Sequence, residues 1–175
     1  MKKILAFGAS SSKTSINKQL ATYVANQFQN SQIEILDLND YEMPIFSIDK
    51  EKESGIHPLA QKFYEKLGSA DLILISFAEH NGSYSAAFKN IFDWSSRING
   101  KTFQEKPMLL LSTSPGTRGG ETVLEIAKKR FPFQGGVVKG TFSLPSFGAN
   151  FDSEKGIINA DLKSQLLEIV NSIDL

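Results

Sequence analysis

Apolar residues along the chain fall into two kinds of run. Short compact runs at Lys3 to Phe7, Ile33 to Leu38, Asp71 to Phe77, Pro107 to Ser112 and Val137 to Phe142 read as strands. Leu72-Ile73-Leu74-Ile75 and Met108-Leu109-Leu110-Leu111 are continuously apolar and do not alternate, as central parallel strands covered on both faces require. Between these runs apolar residues recur at helical spacing: Ile16, Leu20, Tyr23, Val24 and Phe28, then Leu59, Phe63 and Leu67, then Phe88, Ile91, Phe92 and Ile98. Val123, Leu124, Ala127 and Phe131 mark a fourth helix, and Leu162, Leu166, Ile169, Val170 and Ile173 a last one.

Strands that alternate with helices predict an α/β fold. Right-handed crossovers make it a doubly wound five-stranded parallel sheet with helices on both faces, and the flavodoxin-like order 2-1-3-4-5 suits five strands. No repeat or low-complexity linker interrupts the pattern, so residues 1–175 are expected to form a single domain. In such a sheet ligands sit outside the carboxyl ends of strands 1, 3 and 4. The loops there are Gly8 to Asn17, Ala78 to Tyr84 and Thr113 to Gly120; the first is rich in hydroxyls and the other two in glycine and small polar residues. The segment from Asn39 to His57 is less periodic. Its charge run Asp49 to Glu53 reads as solvated, and a loop this long suggests a rim of the site or a contact with another subunit.

The first loop, Gly8-Ala9-Ser10-Ser11-Ser12-Lys13-Thr14-Ser15-Ile16-Asn17, delivers a strand to a helix N-terminus. Unpaired amides and the positive pole of the helix dipole make that end an anion site, which hydroxyls of Ser10, Ser12 and Ser15 could complete. A single serine would be explained as an N-cap; four serines, a threonine and an asparagine exceed what a cap needs. Lys13-Thr14 follows Ser12 and not glycine, and the span from Gly8 is one residue short of the G-x-x-x-x-G-K-[ST] loop. Gly8 is the only glycine in the loop, so the dinucleotide fingerprint G-x-G-x-x-G is absent too. The phosphate of a mononucleotide is the remaining reading.

Composition narrows the function by exclusion. Nineteen basic residues balance nineteen acidic ones, which offers no general attraction for nucleic acid. The absence of cysteine removes disulfide, thiolate and cysteine-type zinc chemistry, and two distant histidines, His57 and His80, do not suggest a metal site. No apolar run approaches the ~18 residues of a membrane span, so no membrane partner is expected and the cytoplasm is the expected compartment. A serine-hydrolase elbow, G-x-S-x-G, is absent.

With the three loops in view, the chain resembles the NADPH-dependent FMN reductase family, flavodoxin-like enzymes that include quinone, azo-dye and chromate reductases. Ala9 to Asn17 is similar to the family's G-S-x-R-x-x-S-x-N, with Ala9 in place of glycine and Ser12 in place of arginine. Ala78-Glu79-His80-Asn81 followed by Phe88-Lys89-Asn90-Ile91-Phe92-Asp93-Trp94 is similar to P-E-Y-N and L-K-N-x-x-D-W. Ser112 to Gly120 is similar to S-x-S-x-G-x-x-G-G. The resemblance implies FMN as cofactor and NAD(P)H as electron donor, with a quinone, azo compound, metal oxyanion or free flavin as small-molecule acceptor. It implies that Ser10, Ser12, Ser15, Ile16 and Asn17 hold the phosphate end. Glu79, His80, Asn81, Gly82 and Ser83 would wrap the isoalloxazine ring, with Ser114, Pro115, Gly116 and Gly119 as a second wall. A homodimer or homotetramer is implied as well, and the broad apolar helix with Phe88, Ile91, Phe92, Trp94 and Ile98 points the same way.

Flavin carries its own redox chemistry, so no side chain is expected to be an obligate catalyst and no metal ligand is expected. Amides between Glu79 and Ser83 suit the pyrimidine edge of the ring, where negative charge develops on reduction. The Glu79 carboxylate reads equally as a flavin contact or as a solvated or helix-capping group, and Arg118 as either an exposed side chain or a dinucleotide-phosphate contact. Lys89 and Asp93 are spaced for an i,i+4 ion pair. Two alternatives remain at this stage: a flavodoxin-like electron carrier, disfavoured by balanced charge and a different phosphate loop, and a flavin-binding protein without turnover.

Overall fold

The computed structural model describes residues 1–174. In chain order it contains β1 (Lys2–Ala9), α1 (Ile16–Ala25), β2 (Ser31–Leu36), α2 (Ile48–Ser54), α3 (Pro58–Gly68), β3 (Leu72–Phe77), the short strands β4 (Glu79–His80) and β5 (Ser83–Tyr84), and α4 (Ala86–Ser96). There follow β6 (Lys106–Thr113), α5 (Glu121–Arg130), β7 (Gly136–Leu144), α6 (Phe147–Asn150), the short strands β8 (Phe151–Asp152) and β9 (Gly156–Ile157), and α7 (Ala160–Ser172).

Five strands pair in parallel in the order β2-β1-β3-β6-β7, the expected 2-1-3-4-5 winding. The continuously apolar runs explain the placing of the centre. All of β3 and most of β1 and β6 are buried, and alternate residues feed two separate cores. Leu5, Phe7, Ile73, Ile75, Phe77, Met108 and Leu110 face α3, α4 and α5. Ile4, Ala6, Leu72, Leu74, Leu109 and Leu111 face α1 and α7. The first core is aromatic, with Phe103 and Phe131 4.3 Å apart and Phe77, Phe88 and Phe92 around them. The second is mostly aliphatic. Period-2 alternation on a covered sheet makes this division, since each strand sends successive side chains to opposite faces.

Helices end earlier than the apolar spacing alone suggests. Phe28 lies beyond α1, Ile98 beyond α4, and Phe131 opens a 3-10 turn after α5. The segment Asn39 to His57 departs more from expectation. It holds the end of a 3-10 turn, Leu38–Tyr41, and the whole of α2, whose N-cap Ser47 accepts from Lys50 N. It packs on α4 of its own chain. Asn90 Nδ2 donates to Met43 O at 3.0 Å, Asn90 Oδ1 accepts from Phe46 N at 2.8 Å, and Trp94 Nε1 donates to Pro44 O at 2.8 Å. Glu51 in the charge run pairs with Arg97 at 2.7 Å. The second apolar stripe of α4 is thus covered by residues 43–46 and does not by itself call for another subunit.

Candidate functional site

The carboxyl ends of β1, β3 and β6 open into one cleft of about 240 Å³. Ser10, Ser12, Ser15, Ile16 and Asn17 line it from the first loop, Glu79 and His80 from the second, and Ser114 and Pro115 from the third. Thr14, just before the N-cap of α1, and Ala78 and Thr113, at the ends of β3 and β6, line it too, though none was singled out as a site residue. Asn81, Gly82, Ser83, Gly116 and Gly119 do not line it.

The first loop is shaped by its own hydroxyls. Ser10 Oγ accepts from Ser12 N at 3.1 Å, and Ser15, the N-cap of α1, accepts from Lys18 N at 3.1 Å. A hydroxyl that accepts from backbone still has its proton to donate, so both can face an anion. The amides of Ile16 and Asn17 stand in the first turn of α1, where no intrahelical acceptor exists. Gly8 lets α1 pass close over the strand end, because a Cβ there would collide with the Lys18 backbone.

Asn17 is 3% exposed, and its side chain does not point at a ligand. Its Oδ1 accepts from Ser76 Oγ at 2.7 Å and from Thr113 N at 3.1 Å, while its Nδ2 donates to Thr113 O at 3.2 Å. One amide thus ties the start of α1 to β3 and β6. Only its backbone N–H remains for the cleft.

The second loop is a hairpin. β4 and β5 pair antiparallel through Glu79 with Tyr84 and His80 with Ser83, and Asn81 and Gly82 turn between them at φ +51° and +73°. Two successive positive φ values are what a two-residue type I′ turn needs, and Asn-Gly is its strongest sequence signal. That signal was present in the chain and reaches further than an open ring-wrapping loop. The Glu79 carboxylate accepts from Val123 N at 3.0 Å. It caps α5, whose own N-cap, Gly120, has no side chain, and the charge is favourable at that helix end. Among its sequence readings, the helix cap is present. At the hairpin base Ser85 caps α4 and donates to Ala9 O at 2.8 Å, which joins the first and second loops. Tyr84 is sunk among Phe77, Phe88, Phe92 and Phe131, and burial pushes its phenol up to about 12.

The third loop is braced from behind. Ser114 O accepts from Phe147 N at 3.0 Å, Gly116 O from Ser146 N at 2.9 Å, and Gly119 O from Ser143 Oγ at 3.0 Å. Arg118 donates to Thr122 Oγ1 at 2.6 Å. Lys89 and Asp93 form the expected ion pair at 2.7 Å on α4.

The donor set fits an organic phosphate. It consists of hydroxyls and first-turn amides, and the one carboxylate in the lining is held against α5. At 240 Å³ the cleft is below the ~300–1,000 Å³ of sites that engulf a drug-sized ligand.

A family model described as NADPH-dependent FMN reductase matches residues 2–149. An NADPH:quinone oxidoreductase of Arabidopsis thaliana is 28% identical over 178 residues, covering 98% of this chain and 89% of its own. An NAD(P)H-dependent FMN reductase of Pseudomonas aeruginosa is 32% identical over 87 residues, covering 50% of this chain and 45% of its own. Among solved structures, the flavoenzyme NAD(P)H:(acceptor) oxidoreductase FerB of Paracoccus denitrificans superposes with a TM-score of 0.78 at 20% identity, over 98% of this chain and 94% of that one. The last of these is a likeness of fold.

Proposed function

The chain belongs to the NADPH-dependent FMN reductase family, and from that premise we propose that it passes electrons from NAD(P)H through FMN to a small acceptor, a quinone foremost. The observation that carries this reading is the convergence of three loops on a cleft whose free groups are N–H and O–H donors. Bound FMN supplies hydride acceptance from a nicotinamide and electron release to the acceptor.

The protein's part is to bind, orient and bias. Hydroxyls of Ser10, Ser12 and Ser15 and the amides of Ile16 and Asn17 hold the phosphate, with the α1 dipole in support. The hairpin from Glu79 to Ser83 presents its backbone to the pyrimidine edge of the ring. His80 lies against the ring, and Asn81 and Gly82 fix the turn. Fixed amide dipoles at that edge stabilise the negative charge that accompanies reduction without reorganising. Ser114 and Pro115 form the second wall, with Gly116 and Gly119 shaping the loop from outside the cleft. The reading also includes a homodimer or homotetramer. Its support is Ile45 and Ile48, 78% and 46% exposed beside α4, and Ile45→Glu is expected to shift the mass seen by light scattering towards the monomer.

The test is direct. Purified protein mixed with FMN is expected to give a flavoprotein spectrum, and NADPH or NADH is expected to bleach it rapidly in a stopped-flow instrument before a quinone restores it. Failure to retain FMN, together with no NAD(P)H oxidation in the presence of a quinone, overturns the reading. Retained flavin that nicotinamides do not bleach replaces it with the electron-carrier alternative.

A further inference from the structure

We infer that the groove along α1 beside the cradle receives the adenosine diphosphate half of the nicotinamide donor, an assignment that rests on the reductase reading above. The groove is larger than the cleft, at about 450 Å³ against 240 Å³, and Thr14 and Ser15 line both. It runs between α1 and the β8–β9 hairpin as far as Asn26. From Ser15 that is eleven helical steps of ~1.5 Å, roughly 16 Å. A nicotinamide placed on a flavin in the smaller cleft leaves the other half of its dinucleotide without room there. The groove shares a wall with that cleft and has the volume.

Its side chains sort by chemistry along its length. Lys13 stands at the cradle end and has no ion-pair partner among the described residues, so its ammonium is free for the pyrophosphate. Lys18 is committed to Asp37. Gln19, one turn into α1, offers an amide donor and acceptor to a base or ribose. Tyr23 contributes an aromatic wall, its ring edge-on to Phe151 at 5.7 Å and its hydroxyl buried without a partner among the described residues. The hairpin is pressed onto that ring, since a Cβ at Gly156 would overlap it. Glu154 on the hairpin adds a carboxylate, which accepts from ribose hydroxyls and repels phosphate. Along α1 the order from the cradle outward is therefore pyrophosphate at Lys13, then adenosine at Gln19 and Tyr23. With a carboxylate in the groove wall, a free ribose 2′-hydroxyl is favoured over a 2′-phosphate.

Calorimetric titration of ADP into FMN-loaded protein tests the groove with the cradle already filled. ADP is expected to bind, and Lys13→Ala and Gln19→Glu are each expected to weaken it by about fivefold to tenfold, the size of one charge-assisted contact. Bound-flavin absorbance is expected to stay as in the parent protein. Glu154→Lys is expected to raise the NADPH-to-NADH ratio of kcat/KM by about tenfold. No ADP binding, or an affinity that both groove variants leave unchanged, overturns the assignment even if NAD(P)H oxidation is intact. Parent protein that holds FMN but oxidises neither nicotinamide strikes the reductase reading instead, and takes this assignment to a hydride donor with it.

Discussion

The loops after β1 and β3 meet in one cleft but are held in different ways. The first keeps its shape through hydroxyls bonded to neighbouring backbone and hangs from one buried side chain, Asn17, which reaches β3 and β6. The second is a hairpin whose turn is set locally by Asn81 and Gly82. Its base is pinned three times, by Glu79 on α5, Tyr84 in the aromatic core and Ser85 on the first loop. A cradle for phosphate needs exposed donors at fixed positions, and a single inward anchor leaves the others free. A wall for a flat ring needs stiffness, which a pinned turn supplies.

The largest expected effect comes from cutting the cradle's anchor. Asn17→Ala strands Thr113 N–H, Thr113 C=O and the Ser76 hydroxyl in the interior and is expected to cost about 3 kcal/mol in urea unfolding. A loss well under 1 kcal/mol would mean that the cradle does not hang from this residue. Glu79→Ala tests the hairpin's anchor. It removes the cap of α5 at about 1–2 kcal/mol, and weakens FMN and riboflavin alike because the phosphate is untouched. Glu79→Gln keeps an acceptor and is expected to lose less.

Ser15→Ala is expected to cost about 1 kcal/mol through the lost cap. It should weaken FMN more than riboflavin, as fluorescence titration of the two would show. Equal weakening of both, or none, would dissolve the contrast between the two loops. Tyr84→Phe is the smallest change at neutral pH, within about 0.5 kcal/mol, because the hydroxyl removed has no partner. Its signature is alkaline. The unfolded tyrosine ionises near pH 10 and the folded one only near about 12, so between those values the native state binds more protons and stability falls as pH rises. Tyr84 contributes at most about 1.4 kcal/mol per pH unit to that slope, and the variant should lose this share while Tyr41, also raised by burial, keeps its own.

Much of this was legible in the chain because it depends on local pattern. Leu72 to Ile75 and Met108 to Leu111 announce central strands by being apolar on both faces, and alternation with helices then leaves few windings. The switch-point rule chose the three loops, and the structure brings them to one cleft. What the chain did not disclose is how they are fastened. The Asn17 bonds join residues 96 and 59 positions apart, and the Glu79 cap joins residues 44 apart. No periodicity records such pairings, since a side chain's partner across the sheet is set by register and layer, not by its neighbours in sequence. The same holds for residues 43–46, whose apolar Pro44-Ile45-Phe46 suggested a tuck inward but not its partners, Asn90 and Trp94, which bind their backbone. Sequence alone determined the five parallel strands, their order and the main helices between them. Tertiary structure decided which polar side chains are spent on holding the loops and which are left for a ligand, because burial and long-range hydrogen bonding exist only once the sheet is assembled.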